Sequence, residues 1–317
     1  MLQYANLHFH STHSDGVYTP EELAIKAKEE GYSAIALADH DTVTGIDECR
    51  EVAASLGLGY IEAAEFTTDP NDRGEYGTDF HMVGMSFDRT YEPMRAYLAR
   101  LGESETYQTE RCFRQGVERG FLSGITWDEV LDFNRGIAWI CNEHVFRAMK
   151  AKGIATDLDY PSFFKNVFGV HRYEEPALHP FLGPNALIGL IREAGGIPVL
   201  AHPHKQMIYA DRMRENGLLG VEVWHHDLTL DEQLVTLRYA IEHDMFVSGG
   251  SDHSGLLGGQ YDRYPVPQEC PHWAEPCTLG TQKLFFDEIR ERTLATRAER
   301  MRILEAFEEE VLGGKLT

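Results

Sequence analysis

The first residues with recognisable chemistry lie near the start of the chain, where residues 6–16 read NLHFHSTHSDG. In the strand-like segment LHFH, His8 and His10 point to the same side, because side chains alternate along a strand. Two imidazoles on one face can hold one cation, and Asp15 in the following loop can add a carboxylate. Imidazole and carboxylate ligands without a thiolate favour zinc, manganese or iron over magnesium. The segment therefore predicts part of a metal site.

Ligand types of the same kind recur at the ends of later apolar segments. In chain order they are His40 after AIALAD, Glu65 in YIEAAEF, His81 at the start of HMVGM, His202 after IPVLA, and Asp252 and His253 after FVSGGS. In barrel enzymes the carboxyl ends of the strands meet on one face and build the site there. Nine candidate ligands exceed the needs of one ion, so we expect two or three divalent ions with Glu65 as a bridge. Manganese, iron and zinc all fit this set of ligands.

The segments that carry these residues alternate between apolar strands and amphipathic helices. In TPEELAIKAKEEGY, Thr19 is the predicted N-cap, Glu22 completes a capping box and Gly31 ends the helix. Such alternation predicts parallel strands covered by helices. Between about residues 91 and 183 the sequence predicts helices only. We therefore predict a barrel-like α/β metal-binding domain over residues 1–90 and 184–317, with C-terminal helices, and a helical insertion over residues 91–183 that covers the active site.

The amino-acid composition, above all the net charge, limits which molecules the protein can bind. The chain has 317 residues, of which 43% are hydrophobic and 25% charged, as in an ordinary globular protein. Its 29 Lys and Arg against 51 Asp and Glu give a net charge of −22. A surface this acidic repels long nucleic acids and anionic membranes. A small phosphorylated substrate held by bound cations remains compatible with it, because metal charge can invert the local field.

The cysteines and the N-terminal residues predict the cellular compartment of the protein. The five cysteines are odd in number and scattered, which predicts a reducing compartment rather than a disulfide framework. MLQYANLHFH lacks a basic segment followed by a long apolar run, and no stretch is long enough to span a membrane. We therefore expect a cytoplasmic protein. The segment CPHWAEPC at 270–277 lacks the ligand spacing of a zinc finger and predicts a loop over the site, with Trp273 as an apolar lid.

The ordered ligand set resembles the PHP domain, named for polymerase and histidinol phosphatase. Its pattern is matched over nearly all of residues 5–255 by HFH, HSDG, ADHDT, AAEFT, FHMVG, LAHPH and GGSDH. The chain is most similar to the branch of stand-alone phosphoesterases that act on small nucleotides and related phosphate esters. The resemblance implies a distorted (β/α)7 barrel and a trinuclear site. The implied ligand sets are His8, His10, Glu65 and Asp252; Glu65, His81 and His202; and Asp15, His40 and the final histidine.

Two positions depart from the family pattern. The last motif should read Asp-x-His, but His253 follows Asp252 directly and Ser254 occupies the expected ligand position. We expect a local backbone shift that lets His253 reach the third ion; the alternative is that this ion is lost or bound more weakly. Related phosphatases also carry an Arg-x-His motif whose histidine matches His144, and Asn142 replaces the arginine.

The predicted reaction is hydrolysis of a small phosphate ester by a metal-activated hydroxide. The ester is either a monoester, such as the 3′-phosphate of a nucleoside 3′,5′-bisphosphate, or a five-membered cyclic phosphate. His204 is the predicted donor of a proton to the leaving oxygen, and Asp41 is predicted to orient a ligand. The predicted substrate-binding residues are Arg135, His144, Arg147, Arg172 and Lys205. For each cation the competing interpretation is a solvated surface charge.

Two other functional classes compete with this hydrolase. The first is a non-catalytic PHP scaffold, as in polymerases that have lost ligands, but nearly all ligands are present here. The second is amide hydrolysis in a related barrel, which would normally involve a carboxylated lysine or a different histidine order. Neither feature is found in the sequence.

Overall fold

The computed structural model describes residues 4–69, 76–154, 160–165, 177–254 and 279–314. Arg172 and the loop at 270–277 lie outside the described residues. The strands are β1 (Ala5–Asn6), β2 (Ala34–Ile35), β3 (Gly59–Tyr60), β4 (Ala63–Thr67), β5 (His81–Met85), β6 (Ile197–Leu200), β7 (Gly220–Trp224) and β8 (Phe246–Gly249). The helices are α1 (Pro20–Glu29), α2 (Ile46–Ser55), α3 (Glu92–Glu118), α4 (Trp127–Phe133), α5 (Asn142–Ala151), α6 (Tyr160–Phe163), α7 (Pro184–Glu193), α8 (Ala210–Glu215), α9 (Leu230–Glu242), α10 (Lys283–Glu291) and α11 (Arg297–Gly314).

The strands form two sheets that meet along both edges. β1, β2 and β3 pair in parallel, and β4 to β8 form a five-stranded sheet in sequence order. Along one edge the Leu7 N–H donates to the Gly249 carbonyl at 3.2 Å. Along the other edge the Glu65 N–H donates to the Ala38 carbonyl at 3.3 Å. These bonds join the two sheets into a ring.

The ring has seven strands when β3 and β4 are counted as one. Only two residues, 61 and 62, separate β3 from β4, so the eight described strands reduce to seven. Helices stand between most of the strands, and α9 packs on β7 while α10 packs on β8. The prediction of a distorted seven-stranded α/β barrel is therefore confirmed.

One strand runs against the predicted direction. The alternating pattern led us to expect parallel strands, but β5 is antiparallel to both β4 and β6. In this register His81 at the start of β5 pairs with Thr67 at the end of β4. The start of β5 therefore lies at the edge where its neighbours end, which explains why a candidate ligand can open a strand.

The C-terminal helices pack against the barrel. Trp224 at the end of β7 has its ring centre 5.8 Å from that of Phe285 in α10 and 6.0 Å from that of Phe307 in α11. Leu304 and Val311 on the same helix as Phe307 are 3% exposed each. Burial of such side chains contributes about 2 kcal/mol each. Among the described helices, none combines the length and apolar content needed to cross a bilayer.

Helices α3 to α6 follow β5. The first turns of α3 belong to the main core through Met94, Tyr97 and Leu101, whereas its last turns belong to a second cluster. Buried members of this second cluster include Phe113, Trp127, Val145, Phe146 and Phe163. The division of the chain into a barrel and an insertion at residues 91–183 stays a prediction.

Candidate metal centre

Glu65, in the middle of β4, is the centre of a histidine cluster. Its Oε2 lies 3.2 Å from His8 Nε2, 3.3 Å from His10 Nε2 and 3.1 Å from His40 Nδ1. Its Oε1 lies 3.0 Å from both His81 Nδ1 and His202 Nε2. Burial disfavours the charge of this side chain, but the surrounding histidines, led by His40, hold the pKa of Glu65 well below its usual value.

Three groups of possible ligand atoms overlap around this glutamate, and the atoms within each group lie within 4.8 Å of one another. The groups are His8, His10, Glu65 and Asp252; His40, Glu65 and His81; and His10, Asp15 and His40. The structure thus brings eight of the nine predicted ligands together, because His202 also contacts Glu65. The first group is the set that the resemblance implied for the first ion.

The cluster contains buried polar atoms that fit a cation. Within the part of the chain that the structure describes, four of these atoms have no hydrogen-bond partner: His8 Nε2, His10 Nδ1, His40 Nδ1 and Glu65 Oε2. A buried polar atom without a partner costs about 1–3 kcal/mol. Such atoms converging from three strands, all imidazole nitrogens or carboxylate oxygens, match the donor set of manganese, iron or zinc.

The carboxylates also govern protonation of the histidines. Burial by itself lowers the pKa of His10, but Asp15, Asp252 and Glu65 more than offset it and raise the pKa to about 9. The pKa of His202 is likewise about 9, because a hydrogen bond to Glu65 and nearby carboxylates outweigh burial. Burial lowers the pKa of His40 to about 4 despite the charge of Glu65.

The loop that carries Asp15 is held by a buried aspartate. Asp39 accepts hydrogen bonds from the Ser11 N–H at 2.6 Å, the Ser11 hydroxyl at 2.7 Å and the Ser14 hydroxyl at 2.6 Å. Gly16 closes the same loop, and a Cβ atom there would lie 2.2 Å from the carbonyl oxygen of His10. Only glycine fits this close approach without moving the backbone.

His253 does not join the cluster, contrary to the expected backbone shift. Its ring stacks on Tyr18 with centres 5.7 Å apart, and its carbonyl accepts a hydrogen bond from the His10 N–H. Because the segment after β8 pairs with the segment after β1, successive side chains point to opposite faces. Asp252 points inward and His253 points away. Among the described residues, His253 belongs to none of the close groups of ligand atoms.

The two predicted catalytic residues follow clustered histidines in sequence, Asp41 directly after His40 and His204 two residues after His202. His204 is 41% exposed, and its Nδ1 lies 3.0 Å from Glu232 at the start of α9. Asp41 accepts a hydrogen bond from the Thr67 N–H at 3.1 Å and so ties the end of β4 to the loop after β2. Burial raises the pKa of Asp41 to about 8.

The predicted substrate-binding residues occupy different places. The His144 side chain is fully buried, with Nε2 3.3 Å from the Thr12 carbonyl, and Arg147 Nη2 donates to the same carbonyl at 3.2 Å. Both side chains therefore support the loop that leads to Asp15. Lys205 lies beside Glu232, to which its N–H donates at 3.3 Å.

Arg135 lies apart from the cluster. Its side chain is 82% exposed and pairs with Asp132 at 2.8 Å on the surface of the protein. The competing interpretation of a solvated charge therefore fits it better than substrate binding. Arg172 falls outside the described residues.

Two residues that contact the cluster were not predicted from the sequence, one in β7 and one in the loop after it. Glu222 lies 3.1 Å from His8 Nδ1, and His225 Nε2 lies 3.3 Å from Asp252. A signal was present, because GVEVWHH places an acidic residue inside an apolar strand and histidines at its end.

Known proteins resemble this chain over most of its length. Residues 6–121 match the sequence profile of the PHP domain. A 5′-3′ exoribonuclease of Haemophilus influenzae is 30% identical over 273 residues, which cover 80% of this chain and 90% of the relative. A phosphoribosyl 1,2-cyclic phosphate 1,2-diphosphodiesterase of Eggerthella lenta is 26% identical over 262 residues, covering 80% and 95%. A solved structure from Bifidobacterium adolescentis, assigned as a metal-dependent phosphoesterase, has a TM-score of 0.72 and 27% identity, covering 92% of this chain and 97% of that chain.

Proposed function

Because this chain belongs to the PHP domain family, we propose that it hydrolyses a phosphate ester carried on a small ribose compound. It is a metal-dependent phosphoesterase and therefore a hydrolase of phosphoric esters. The observation that carries the proposal is the meeting of five histidines at the two oxygens of Glu65, all within 3.3 Å. Among the described residues, three of these histidines, His8, His10 and His40, also have a buried ring nitrogen without a hydrogen-bond partner, which a structural core does not require.

The proposed ligands are the eight clustered residues described above, with Glu65 among them. His8, His10, Glu65 and Asp252 would hold one ion, and the groups that contain His40 would hold one or two more. When bound, such ions activate water as a nucleophile and neutralise the phosphoryl oxygens. Glu65 stays ionised because the histidines around it lower its pKa, so its charge would help to hold the ions. Manganese is the metal we propose first.

The insertion at residues 91–183 is proposed to cover this edge of the barrel. His144 and Arg147 in α5 contact the carbonyls of the loop that precedes Asp15. This contact supports the proposed domain division, in which the helical segment helps to build the mouth of the site.

His204 is the proposed proton donor for the leaving oxygen. Its Nδ1 is engaged by Glu232, so Nε2 is the atom that can exchange a proton. The half-exposed ring follows His202 by two residues and so lies near the proposed ions. Lys205, beside the same glutamate, is the cation of this segment that we propose to meet the phosphate.

The ribose phosphate class is supported by the relatives. One is named for ribonucleic acid and one for a phosphoribosyl cyclic phosphate. The net charge of −22 disfavours long polymers, so we propose a monoester such as a nucleoside 3′,5′-bisphosphate as the substrate. A cyclic ribose phosphate is the second candidate. It is favoured by the relative from Eggerthella lenta and by Asn142, which stands where related phosphatases carry an arginine.

The test is phosphate release by the manganese-loaded protein. The panel contains nucleoside monophosphates, nucleoside 3′,5′-bisphosphates, cyclic ribose phosphates and a short 5′-phosphorylated oligoribonucleotide. We expect release from one class, abolished by a chelator. Asp252→Asn should lower kcat by more than the roughly 10–100-fold typical of residues that only support a ligand. Asp132→Asn is the matched surface control. The absence of release from every compound, with metal present in the protein, would favour the scaffold instead.

A further inference from the structure

The strand β7 contains a bulge that turns two buried side chains toward the same face. Glu222 and His225 are three positions apart, so on a regular strand they would point to opposite sides. Glu222 pairs with Ser248 of β8. Trp224 pairs with the next residue, Gly249, so two steps along β7 match one step along β8. Such a bulge re-aims the side chains that follow it.

The bulge separates the side chains of β7 and its following loop between the outer face of the barrel and the face toward the cluster. Trp224 packs outward, with its ring centre 5.8 Å from that of Phe285 in α10. Glu222 and His225 both face the cluster instead, where they contact His8 and Asp252. The exposed fraction is 1% for Glu222 and 0% for His225.

Glu222 determines which nitrogen of His8 is available. Its Oε1 lies 3.1 Å from His8 Nδ1, and its Oε2 accepts a hydrogen bond from the His202 N–H at 2.8 Å. A carboxylate can only accept, so His8 Nδ1 carries the proton and the lone pair of the neutral ring lies on Nε2. Nε2 is the atom 3.2 Å from Glu65, inside the cluster.

His225 acts on Asp252 in a similar way. The Asp227 N–H donates to His225 Nδ1 at 3.1 Å, so the proton of the neutral ring lies on Nε2. That N–H points to Asp252 Oδ2 at 3.3 Å. The other oxygen, Oδ1, lies 2.7 Å from His10 Nε2 and faces the cluster.

We propose that Glu222 and His225 are positioning residues of the metal centre, which hold His8 and Asp252 in their ligating orientations. This inference rests on the proposed metal-dependent function. His8, Glu222 and His225 have ligand atoms close enough to hold an ion themselves. Their facing atoms are already engaged by the hydrogen bonds above, so this trio supports a neighbouring ion site and is not a site itself.

The expected effect is a loss of metal affinity. Removal of a hydrogen-bond partner behind a metal ligand typically lowers affinity by about 10–100-fold. Glu222→Gln keeps the shape but removes the negative charge and replaces one acceptor oxygen with a donor NH2 group. Glu222→Ala removes both acceptors. Glu288→Gln is the matched control, because Glu288 is a buried carboxylate, 2% exposed, that pairs with Arg300 outside the cluster.

The experiment is titration of the metal-free full chain with Mn²⁺, with free Mn²⁺ measured by electron paramagnetic resonance. We expect affinity at one site to fall by about 10–100-fold in both Glu222 variants and to stay unchanged in Glu288→Gln. Unchanged affinity in both Glu222 variants would overturn the inference and leave the proposed function intact. A wild-type chain that binds no Mn²⁺ would remove the proposed function and the inference together.

A second measurement does not depend on the variants folding. Histidine ¹⁵N resonances of the Zn²⁺-loaded wild-type protein report which ring nitrogen carries the proton. We expect a protonated Nδ1 for His8 and a protonated Nε2 for His225. The opposite tautomer at His8 would contradict the role of Glu222, and the opposite tautomer at His225 would contradict the role of that histidine.

Discussion

Metal binding should depend steeply on pH, because protons and metal ions compete for the same nitrogens. The pKa values of His10 and His202 lie at about 9 in the metal-free protein, so both rings are protonated at pH 7. The pKa of His8 is also raised, because the neighbouring carboxylates outweigh burial. A metal ion must displace these protons before it binds. His40 is already neutral at pH 7, since its pKa lies at about 4.

The magnitude follows from the pKa values of His10 and His202. Displacing one proton at pH 7 from a group with a pKa of about 9 costs about 2.7 kcal/mol, since each pH unit corresponds to 1.36 kcal/mol. Two such histidines together cost about 5 kcal/mol. Affinity for Mn²⁺ should therefore rise roughly 100-fold from pH 7 to pH 8, tenfold for each of these two protons, and the contribution of His10 and His202 should level off above pH 9.

Isothermal titration calorimetry provides the measurement. Titrations with Mn²⁺ at pH 7 in buffers of different ionisation enthalpy give the number of protons released. We expect at least two protons per protein at pH 7 and fewer at pH 9, where His10 and His202 are already partly deprotonated. Affinity that is flat between pH 7 and pH 9, without proton release, would refute the reasoning that carboxylates hold these histidines protonated.

Three further outcomes follow from the structure. Glu65→Ala should lower the metal content and abolish phosphate release, because two of the three ligand groups contain this residue; unchanged metal content in elemental analysis would contradict its shared role. Gly16→Ala should destabilise the protein by about 1–3 kcal/mol in chemical denaturation, because the added Cβ would collide with a backbone carbonyl. Gly189→Ala in α7 is the control, because the added Cβ would contact no other atom there. Arg147→Ala should lower the unfolding free energy by about 1–3 kcal/mol and weaken Mn²⁺ binding, because the Thr12 carbonyl loses a donor. Arg135→Ala, at an exposed position, should change the unfolding free energy by less than about 0.5 kcal/mol. Equal effects of the two substitutions would contradict the supporting role of Arg147.

The clustering of the candidate ligands was largely predictable because these residues are chemically distinctive and occur at strand ends. His8 and His10 follow from the two-residue period of a strand, and Glu65 from an acidic residue in an apolar segment. The capping box of Thr19 and Glu22 was likewise predicted and is present in the structure. Local rules of this kind need no knowledge of tertiary structure.

The features that the sequence did not predict all depend on backbone pairing between distant segments. The reversal of β5 depends on its neighbours, and no residue within HMVGM indicates direction. Glu222 and His225 share a face only through a bulge, which is defined by pairing with β8. The outward position of His253 depends on the pairing of its own backbone with that of His10. Each of these is a relation between segments distant in sequence.

The reversed direction of β5 also fixes how the helical segment reaches the candidate metal centre. β5 leaves the barrel at the edge opposite the ligands, yet the Ile140 N–H just before α5 donates to Thr106 Oγ1 of α3 at 3.0 Å. From Glu92 to Thr106 the helix rises about 21 Å, about the height of a strand. The part of α3 between Glu92 and Thr106 is thus a rigid connection of fixed length. Removing one residue from it would rotate the helical segment that follows by about 100° about the helix axis. The number of residues in that stretch sets the alignment between α5 and the loop that carries Asp15.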